Sequence, residues 1–356
     1  RTGYSAEKAA AIEACASTGG AITPPVMGAS GFIMASFLGI SYAEVALAAL
    51  VPAVLYYFSL YWQVDFYAAK RNITGLPRAE CPSFITTLKQ GWYYLFAVAV
   101  LTWFLFFVRV ETMAPFYAMG TLFVILVVTS LRHGKSGWQI ISKTLFNFFE
   151  TGGKMIVSLL GMNLALGIIL GALSISGRGL AFSNEMVILG GENLYLLALL
   201  GMAASYILGM GLPVTPCYVL LATLLAPALV AGGVQGLLRA HMFVLVAGAM
   251  SSITPPVAVA AMAAAAIAKV SPMRVGISCM RLGSILLIFP FFLVFNPALI
   301  PVEGITGITL VAWAMALLGT IVMAAGLEGY APGVGTIGWP SSGLAIISGI
   351  LLLFPP

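Results

Sequence analysis

Two proline pairs, each next to hydroxyl side chains, are the groups in this sequence best suited to bind an ion. The pentapeptide Ile-Thr-Pro-Pro-Val occupies residues 22–26 and again residues 253–257, an offset of 231 positions (253 − 22). Because proline has no backbone N–H, each pair leaves carbonyl oxygens before it without a helical partner. Inside a bilayer such carbonyls must be satisfied by other groups. Together with hydroxyl oxygens they suit a hard cation such as sodium.

Hydroxyl and small residues define the candidate site at each proline pair. The predicted sodium ligands are Ser251, Ser252 and Thr254. We also expect Thr23 and Thr254 to be N-caps with proline at the first helical position, so that each following helix directs its positive end toward a substrate carboxylate. Ordinary interhelical packing and hydrogen bonding are the alternative for these residues. The remaining candidates for ion or substrate binding are Ser17, Thr18, Gly19, Gly20, Thr23, Pro24, Pro25, Pro255 and Pro256.

A third candidate group lies in the apolar stretch 194–231, where Gly209, Gly211 and Thr215 surround a Gly-Pro tip. Each arm has about 15 residues, fewer than the roughly 20 that a helix needs to cross the hydrocarbon core. We therefore predict a re-entrant hairpin. A tip inside the bilayer needs its polar groups satisfied, which favours contact with an ion or substrate over a plain tight turn.

The composition places these motifs in a membrane protein. Of the 356 residues, 61% are hydrophobic and only 8% are charged, whereas roughly 25% are charged in soluble domains. The apolar runs have a helical period rather than the alternation of a barrel strand. The predicted fold class is an all-α integral membrane protein, a polytopic helical bundle. Its apolar runs cover residues 44–62, 93–108, 114–131, 155–174, 284–300 and 305–325.

The positive charges indicate how the chain crosses the bilayer. If each apolar run crosses once and 194–231 returns to its own side, three of the 16 Lys and Arg residues lie on one face and thirteen (16 − 3) on the other. The three are Arg109, Arg178 and Arg239. The richer face is then cytoplasmic. The two proline motifs would run in opposite directions, as in inverted repeats with interrupted helices.

Other residue classes argue against competing functions. The four cysteines form no Cys-X-X-Cys pair, so neither a disulfide framework nor a metal site is predicted, and no cofactor is expected besides a coupling sodium ion. The net charge of +5 fits membrane orientation better than nucleic-acid binding.

His241 is expected near the outer interface, with a proton relay as the alternative. An intramembrane enzyme is disfavoured because no nucleophile and base converge, whereas a channel or another ion-coupled carrier stays open.

Several of these motifs, in this order, resemble one transporter family. They are STGGAITPPVMG, GMGLPVTPCYVLLATLLAPAL, AHMFVLVAGAMSSITPPVAVAA and PFFLVFNPAL. They are similar to the large membrane subunit of tripartite ATP-independent periplasmic (TRAP) transporters, in particular to the fused permeases that work with TAXI-type receptors. The resemblance covers roughly residues 1–300 and is weaker over residues 301–356.

The resemblance implies an elevator-type carrier in the bacterial or archaeal cytoplasmic membrane. It would import organic acids, small carboxylates, with a sodium gradient and would receive them from a periplasmic substrate-binding protein. STGGAITPP and SSITPP would be the interrupted helices of the two repeats, and GMGLPVTP the second hairpin tip. The family's first hairpin and its small membrane subunit would precede residue 1. We therefore expect this chain to be a portion of a longer permease, with membrane lipid as its further partner.

The expected organisation follows from these repeats. The first repeat contributes only its second part, and additional membrane helices follow the second repeat. The expected divisions are 1–40 for the first repeat with its interrupted helix, 41–150 for scaffold helices and an amphipathic arm, 151–270 for the second repeat with hairpin 194–231 and its interrupted helix, 271–300 for a closing helix, and 301–356 for the additional C-terminal helices.

Overall fold

A computed structural model describes most of the chain. The described residues are 3–77, 80–81, 83–131, 135–191, 193–300 and 304–354. Three cations from the charge count, Arg1, Arg78 and Arg132, lie outside these ranges. Within the described residues the chain is almost entirely helical, with one small pair of two-residue strands. The predicted all-α class is therefore confirmed.

Sixteen α-helices lie within the described ranges. A 3-10 turn at Gly20–Ile22, a π-helical segment at Phe104–Val108 and a 3-10 turn at Pro297–Leu299 interrupt or extend them. The helices are α1 Ala6–Gly19, α2 Gly28–Leu38, α3 Tyr42–Lys70, α4 Phe84–Trp103, α5 Ala114–Leu131, α6 Lys135–Ile175, α7 Arg178–Gly190, α8 Leu194–Gly209, α9 Val214–Leu224, α10 Ala226–Ala231, α11 Leu237–Ser251, α12 Val259–Ala268, α13 Pro272–Leu282, α14 Ile285–Phe295, α15 Gly307–Glu328 and α16 Trp339–Leu351.

Six helical stretches in the described part of the chain are long and apolar enough to cross a membrane. Each of the six apolar runs identified in the sequence overlaps one of them, which confirms the polytopic prediction. They are Tyr42–Lys70, Gly91–Val108, Ala114–Leu131, Gly137–Ile175, Pro272–Phe295 and Gly307–Glu328.

The amphipathic arm expected before residue 150 is not a separate helix. It forms the first part of α6, which continues without interruption for 41 residues. The expected division at 150–151 therefore falls inside a helix. The cause is local, because Gly152 and Gly153 do not break a helix by themselves and no proline follows them before Ile175.

The chain divides into two compact units. One comprises residues 1–40, 44–75 and 173–356, and the other comprises 41–43 and 76–172. In the second unit α4 packs against α5, and the Phe104 ring stacks on the Tyr117 ring with 4.1 Å between centroids. The first unit contains both proline motifs and the predicted hairpin.

Within the first unit the two proline motifs belong to duplicated segments. Helix α1 begins 231 residues before α11 (237 − 6), and α2 begins 231 residues before α12 (259 − 28). Both Pro-Pro peptide bonds are cis, at Pro24–Pro25 and Pro255–Pro256. The residue before each second half-helix, Met27 or Ala258, has a positive φ of 33° or 40°. The same helix offset and the same positive φ recur in both copies, as the predicted duplication requires.

The two copies pack against each other reciprocally. The first half-helix of one copy, α1, packs against the second half-helix of the other, α12, and α11 likewise packs against α2. Reciprocal contacts of this kind are expected where a two-fold axis relates two elements. The direction of that axis in the bilayer, and thus the inversion of the repeats, stays a prediction.

The stretch 194–231 forms the predicted helical hairpin. Helices α8 and α9 pack against each other on either side of a tip at residues 210–213. With 16 and 11 residues, the arms are about 24 Å and 17 Å long at about 1.5 Å per residue, shorter than the roughly 30 Å hydrocarbon core. Re-entry on one face stays a prediction.

The last two helices form a close pair that glycine permits. A Cβ at Gly319 of α15 would lie 2.7 Å from the Gly349 carbonyl oxygen of α16, and a Cβ at Gly349 would lie equally close to the Gly319 oxygen. Gly326 approaches the Ser342 carbonyl in the same way. Small residues that allow backbones to approach are the usual means of helix association in membranes.

We expect Gly349→Ala to destabilise the protein, because its Cβ would overlap the α15 backbone and overpacking costs about 1–3 kcal/mol. Gly343→Ala is the matched control in the same helix. It has no atom within 4 Å of the added Cβ and should gain up to about 1 kcal/mol of helix propensity. Thermal unfolding of both variants in detergent measures the difference. A Gly349→Ala protein as stable as the control would contradict the close packing.

Candidate ion and substrate site

At the first break a threonine hydroxyl replaces a lost backbone contact. The Thr23 hydroxyl donates to the Gly19 carbonyl at 2.6 Å, while the Thr23 N–H bonds the Gly20 carbonyl at 3.4 Å. One turn earlier, the buried Thr18 hydroxyl donates to the Ala14 carbonyl at 2.8 Å. The Gly19 carbonyl is therefore satisfied by a side chain and the Gly20 carbonyl by the Thr23 N–H, as membrane burial requires.

Two tyrosines from α3 complete the first break. The Tyr56 hydroxyl donates to the Cys15 carbonyl at 2.7 Å, and the Tyr57 hydroxyl donates to the Ala16 carbonyl at 2.9 Å. Both rings lie against Gly19, where a Cβ would be 2.7 Å from either one. Gly19 thus has a packing role. From the sequence, packing and ion binding were both open for this residue.

At the second break three hydroxyls donate to three consecutive carbonyls. All three side chains are buried, and each bond is 2.7 Å long. Because a hydroxyl that donates its proton keeps lone pairs on oxygen, each can still accept from or coordinate a ligand. The pairs are Ser251 to Gly248, Ser252 to Ala249 and Thr254 to Met250.

The expectation that Thr23 and Thr254 are N-caps is wrong. Their hydroxyls point back to the preceding helix, and the second half-helices begin only at Gly28 and Val259, five residues after each threonine (28 − 23 and 259 − 254). The N-cap positions are Met27 and Ala258. The physical reason is that two prolines after the threonine turn the chain before a new helix can start.

The hairpin tip lies against the second break. A Cβ at Gly209 would be 2.8 Å from the Ser251 side chain and 2.7 Å from the Cys217 sulfur. A Cβ at Gly211, whose φ is +80°, would be 3.6 Å from Val257. The Tyr206 hydroxyl donates to the Pro255 carbonyl. The glycines of the tip therefore allow its backbone to approach the serines.

The second arm of the hairpin reaches the first copy. The Thr215 hydroxyl oxygen lies 3.7 Å from the position that a Cβ of Gly28 would occupy, and α9 packs against both α2 and α11. Gly28 is the first residue of α2. The tip is thus placed between the start of one half-helix and the break of the other copy.

Two candidate residues of the first copy have open surroundings. Ser17 is exposed and its hydroxyl bonds the Glu13 carboxylate at 3.5 Å on its own helix. Gly20 has open space where a Cβ would lie. Ion or substrate binding by these residues stays a prediction.

His241 is packed between helices. It is buried, and a ring nitrogen lies 2.8 Å from the Tyr218 hydroxyl. The Phe37 ring meets its edge with 6.4 Å between centroids. His241 therefore joins α11 to α9 and α2 around the hairpin, and its depth near the outer membrane interface stays a prediction.

The comparison with known families agrees with this geometry. Residues 1–308 match the family described as "Tripartite ATP-independent periplasmic transporter, DctM component". The chain belongs to this family. No curated protein matches the chain. The match includes both breaks and the hairpin of this TRAP large membrane subunit, whereas most of α15 and all of α16 lie beyond it.

Sequence reasoning missed the tyrosines of the TRAP subunit. Tyr56, Tyr57 and Tyr206 each donate to a carbonyl at a break, from helices 41 to 49 residues away in the chain. A signal was present, because a tyrosine inside an apolar run must find a partner for its hydroxyl. The partner could not be named without the tertiary contacts.

We expect Gly209→Ala to separate the tip from the second break. The added Cβ would overlap Ser251 and Cys217, so melting in detergent should occur earlier by the equivalent of about 1–3 kcal/mol. The buried Cys217 thiol should also react faster with a maleimide. Gly171→Ala, which meets no atom within 4 Å, is the control. Unchanged melting together with unchanged Cys217 reactivity would contradict the contact.

Proposed function

We propose that this TRAP subunit is the permease of a sodium-coupled secondary transporter that imports organic acids delivered by a periplasmic substrate-binding protein. The observation that carries the proposal is the second break, where Ser251, Ser252 and Thr254 lie together and Ser251 meets the hairpin tip. Membership of the family supports transport in general. The coupling ion and the substrate class are inferred from the chemistry of the site.

Sodium is favoured because the second break offers neutral oxygens. Pro255 has no N–H, so the Ser251 carbonyl loses the donor that a helix would provide. The Ser252 carbonyl, by contrast, accepts from the Ala260 N–H at 2.9 Å. Residues 17–28 and 248–260 contain neither Asp nor Glu, which leaves a proton relay without an acid. A hard monovalent cation fits such a ligand set.

A carboxylate substrate is favoured by the half-helices. The first turns of α2 and α12 begin at Gly28 and Val259 beside the breaks, and helix N-termini attract negative charge. A bound sodium ion would add positive charge that neutral ligands do not cancel. Binding of the ion would then raise the affinity for the carboxylate, and the reverse must also hold.

Alternating access would use the two-fold related copies. A site formed between the breaks and the hairpin tip can be exposed to one side of the membrane at a time if these elements move together. We propose that this motion is of the elevator type, in the cytoplasmic membrane, with the small membrane subunit bound to the permease. Exchange of labelled substrate without net flux in liposomes would distinguish this carrier from a channel.

Replacing Ser252 by alanine is expected to raise the sodium concentration for half-maximal uptake. Loss of one neutral oxygen ligand is worth about 1 kcal/mol, which corresponds to roughly a fivefold change in affinity. Thr254→Ala should act in the same direction. Uptake is measured in proteoliposomes that contain the complete permease and its receptor.

The control for Thr254→Ala is Thr320→Ala. Thr320 is also buried and donates to a helix carbonyl at 2.7 Å, but it lies in α15 away from the breaks. It should share any general cost of losing a hydroxyl without altering sodium dependence. The assigned coupling site would be refuted if the Ser252 variant took up substrate with unchanged sodium dependence. Uptake driven by a proton gradient in the absence of sodium would also refute it.

The predicted topology can be tested with a native thiol. Of the four cysteines only Cys81 is exposed, and the charge distribution places its loop in the cytoplasm. In intact cells a membrane-impermeant maleimide should therefore leave the native protein unlabelled. It should label a variant in which Ser176, an exposed residue next to Gly177, is replaced by cysteine. Labelling of Cys81 from outside would overturn the orientation and the proposed inversion of the repeats.

A further inference from the structure

A wholly buried carboxylate ends helix α15. The Glu328 side chain has no exposed surface, and one of its oxygens lies 2.6 Å from a guanidinium nitrogen of Arg281. Its other oxygen lies 3.8 Å from the ammonium of Lys8. The Lys70 ammonium donates to the Glu328 backbone carbonyl at 2.8 Å. One acid therefore meets three cations, which come from α1, α3 and α13.

Lys8 is the costly member of this cluster. Its side chain is 7% exposed, and burial of a charge requires a partner. It also lies in the first turn of α1, where the helix dipole disfavours a cation. The Tyr67 ring lies 4.5 Å from its ammonium and offsets part of this cost. A carboxylate close to Lys8 is thus a physical requirement, and Glu328 provides it.

The acid and its cations have different origins in the chain. Lys8 belongs to the first copy, whereas Lys70 lies in α3, which follows that copy, and Arg281 lies in α13, which follows the second. Glu328 lies 20 residues beyond the family match, which ends at residue 308 (328 − 308). Side chains of the matched region are therefore neutralised by a helix outside it.

Further contacts hold the same pair of helices on the repeats. The Asn296 amide, after α14, donates to the Leu353 carbonyl at 3.3 Å, and the Phe292 ring meets the Phe354 ring edge-on at 4.8 Å. At the other end Phe66 of α3 packs with Ala324 of α15. Helix pair α15–α16 is thus fixed at both of its ends.

Gly329 permits the Lys70 contact. Its φ is +64°, and a Cβ there would lie 2.8 Å from the Lys70 ammonium. A glycine immediately after Glu328 lets the helix end and the lysine approach its last carbonyl.

We propose that α15–α16 is a docking element that Glu328 locks to α1, α3 and α13, so that this helix pair moves with the repeats as one body during transport. The locking is a property of the fold, and only the shared motion rests on the proposed function. Glu328 acts as a positioning residue for α1, whose other end forms the first break.

The locking is tested by charge compensation. Glu328→Gln keeps the shape but leaves Lys8 buried without a counter-charge, so the melting temperature in detergent should fall by several degrees. Adding Lys8→Met to that variant should restore most of the loss, because Arg281 is 44% exposed and can be hydrated. Removal of Lys8 alone should also destabilise the protein, since the buried carboxylate oxygen that faces Lys8 would lose the cation beside it.

The control is an ion pair between two of the same helices. Arg274 and Glu7 join α13 to α1 at 3.0 Å, with side chains 72% and 36% exposed. Glu7→Gln should change melting little. If the double variant of Lys8 and Glu328 is as unstable as Glu328→Gln, or Glu7→Gln is equally damaging, Glu328 does not lock α15–α16 through Lys8.

The shared motion is tested by a reversible cross-link. Phe292→Cys and Phe354→Cys, in a variant without the four native cysteines, are joined by an oxidant and released by a reductant. If α15–α16 travels with the repeats, the cross-linked transporter should retain uptake within about twofold of the reduced form. Loss of uptake that reduction restores would overturn the shared motion. If the transporter without the two introduced cysteines shows no sodium-driven uptake, the proposed function is refuted instead. The melting measurements would then still show whether Glu328 locks α15–α16.

Discussion

The structure around both breaks depends on one constraint, the inability of two consecutive prolines to donate hydrogen bonds. In a bilayer the carbonyls before them need other donors, and hydroxyl groups provide these donors in both copies. Thr23 and Thr254 make equivalent bonds to carbonyls four residues earlier. Once the ladder is interrupted, each helix resumes as a short second half, and the hairpin packs against the second interruption and against the resumed helix α2 of the first copy.

The two copies satisfy this constraint with different groups. In the first, tyrosines of α3 cover the carbonyls, and Gly20 and Ala21 occupy the positions that correspond to Ser251 and Ser252 (251 − 231 and 252 − 231). In the second, the serines themselves do so. The backbone path is shared, but only the second copy carries a ring of small neutral hydroxyls of its own. Duplication thus preserved the geometry while the chemistry diverged.

The sequence predicted what depends on local chemistry and missed what depends on distant partners. Proline spacing located both breaks, and short apolar arms located the hairpin, because both follow from backbone hydrogen bonding and length. The direction of the Thr23 hydroxyl could not be predicted, since threonine can bond forward as a cap or back to a carbonyl. The donors Tyr56 and Tyr206 and the acid Glu328 lie far away in the chain. Their roles emerge only from the packing.

The unbroken helix α6 has a consequence for the surrounding lipid. Its 41 residues extend for about 62 Å at about 1.5 Å per residue, roughly twice the 30 Å hydrocarbon core. Its apolar run, residues 155–174, accounts for about 30 Å of that length and by itself matches the core. The preceding half of the helix, which contains Lys143 and Lys154, must therefore lie along or beyond the headgroup region. One continuous helix thus connects the hydrocarbon core to the polar layer of the bilayer.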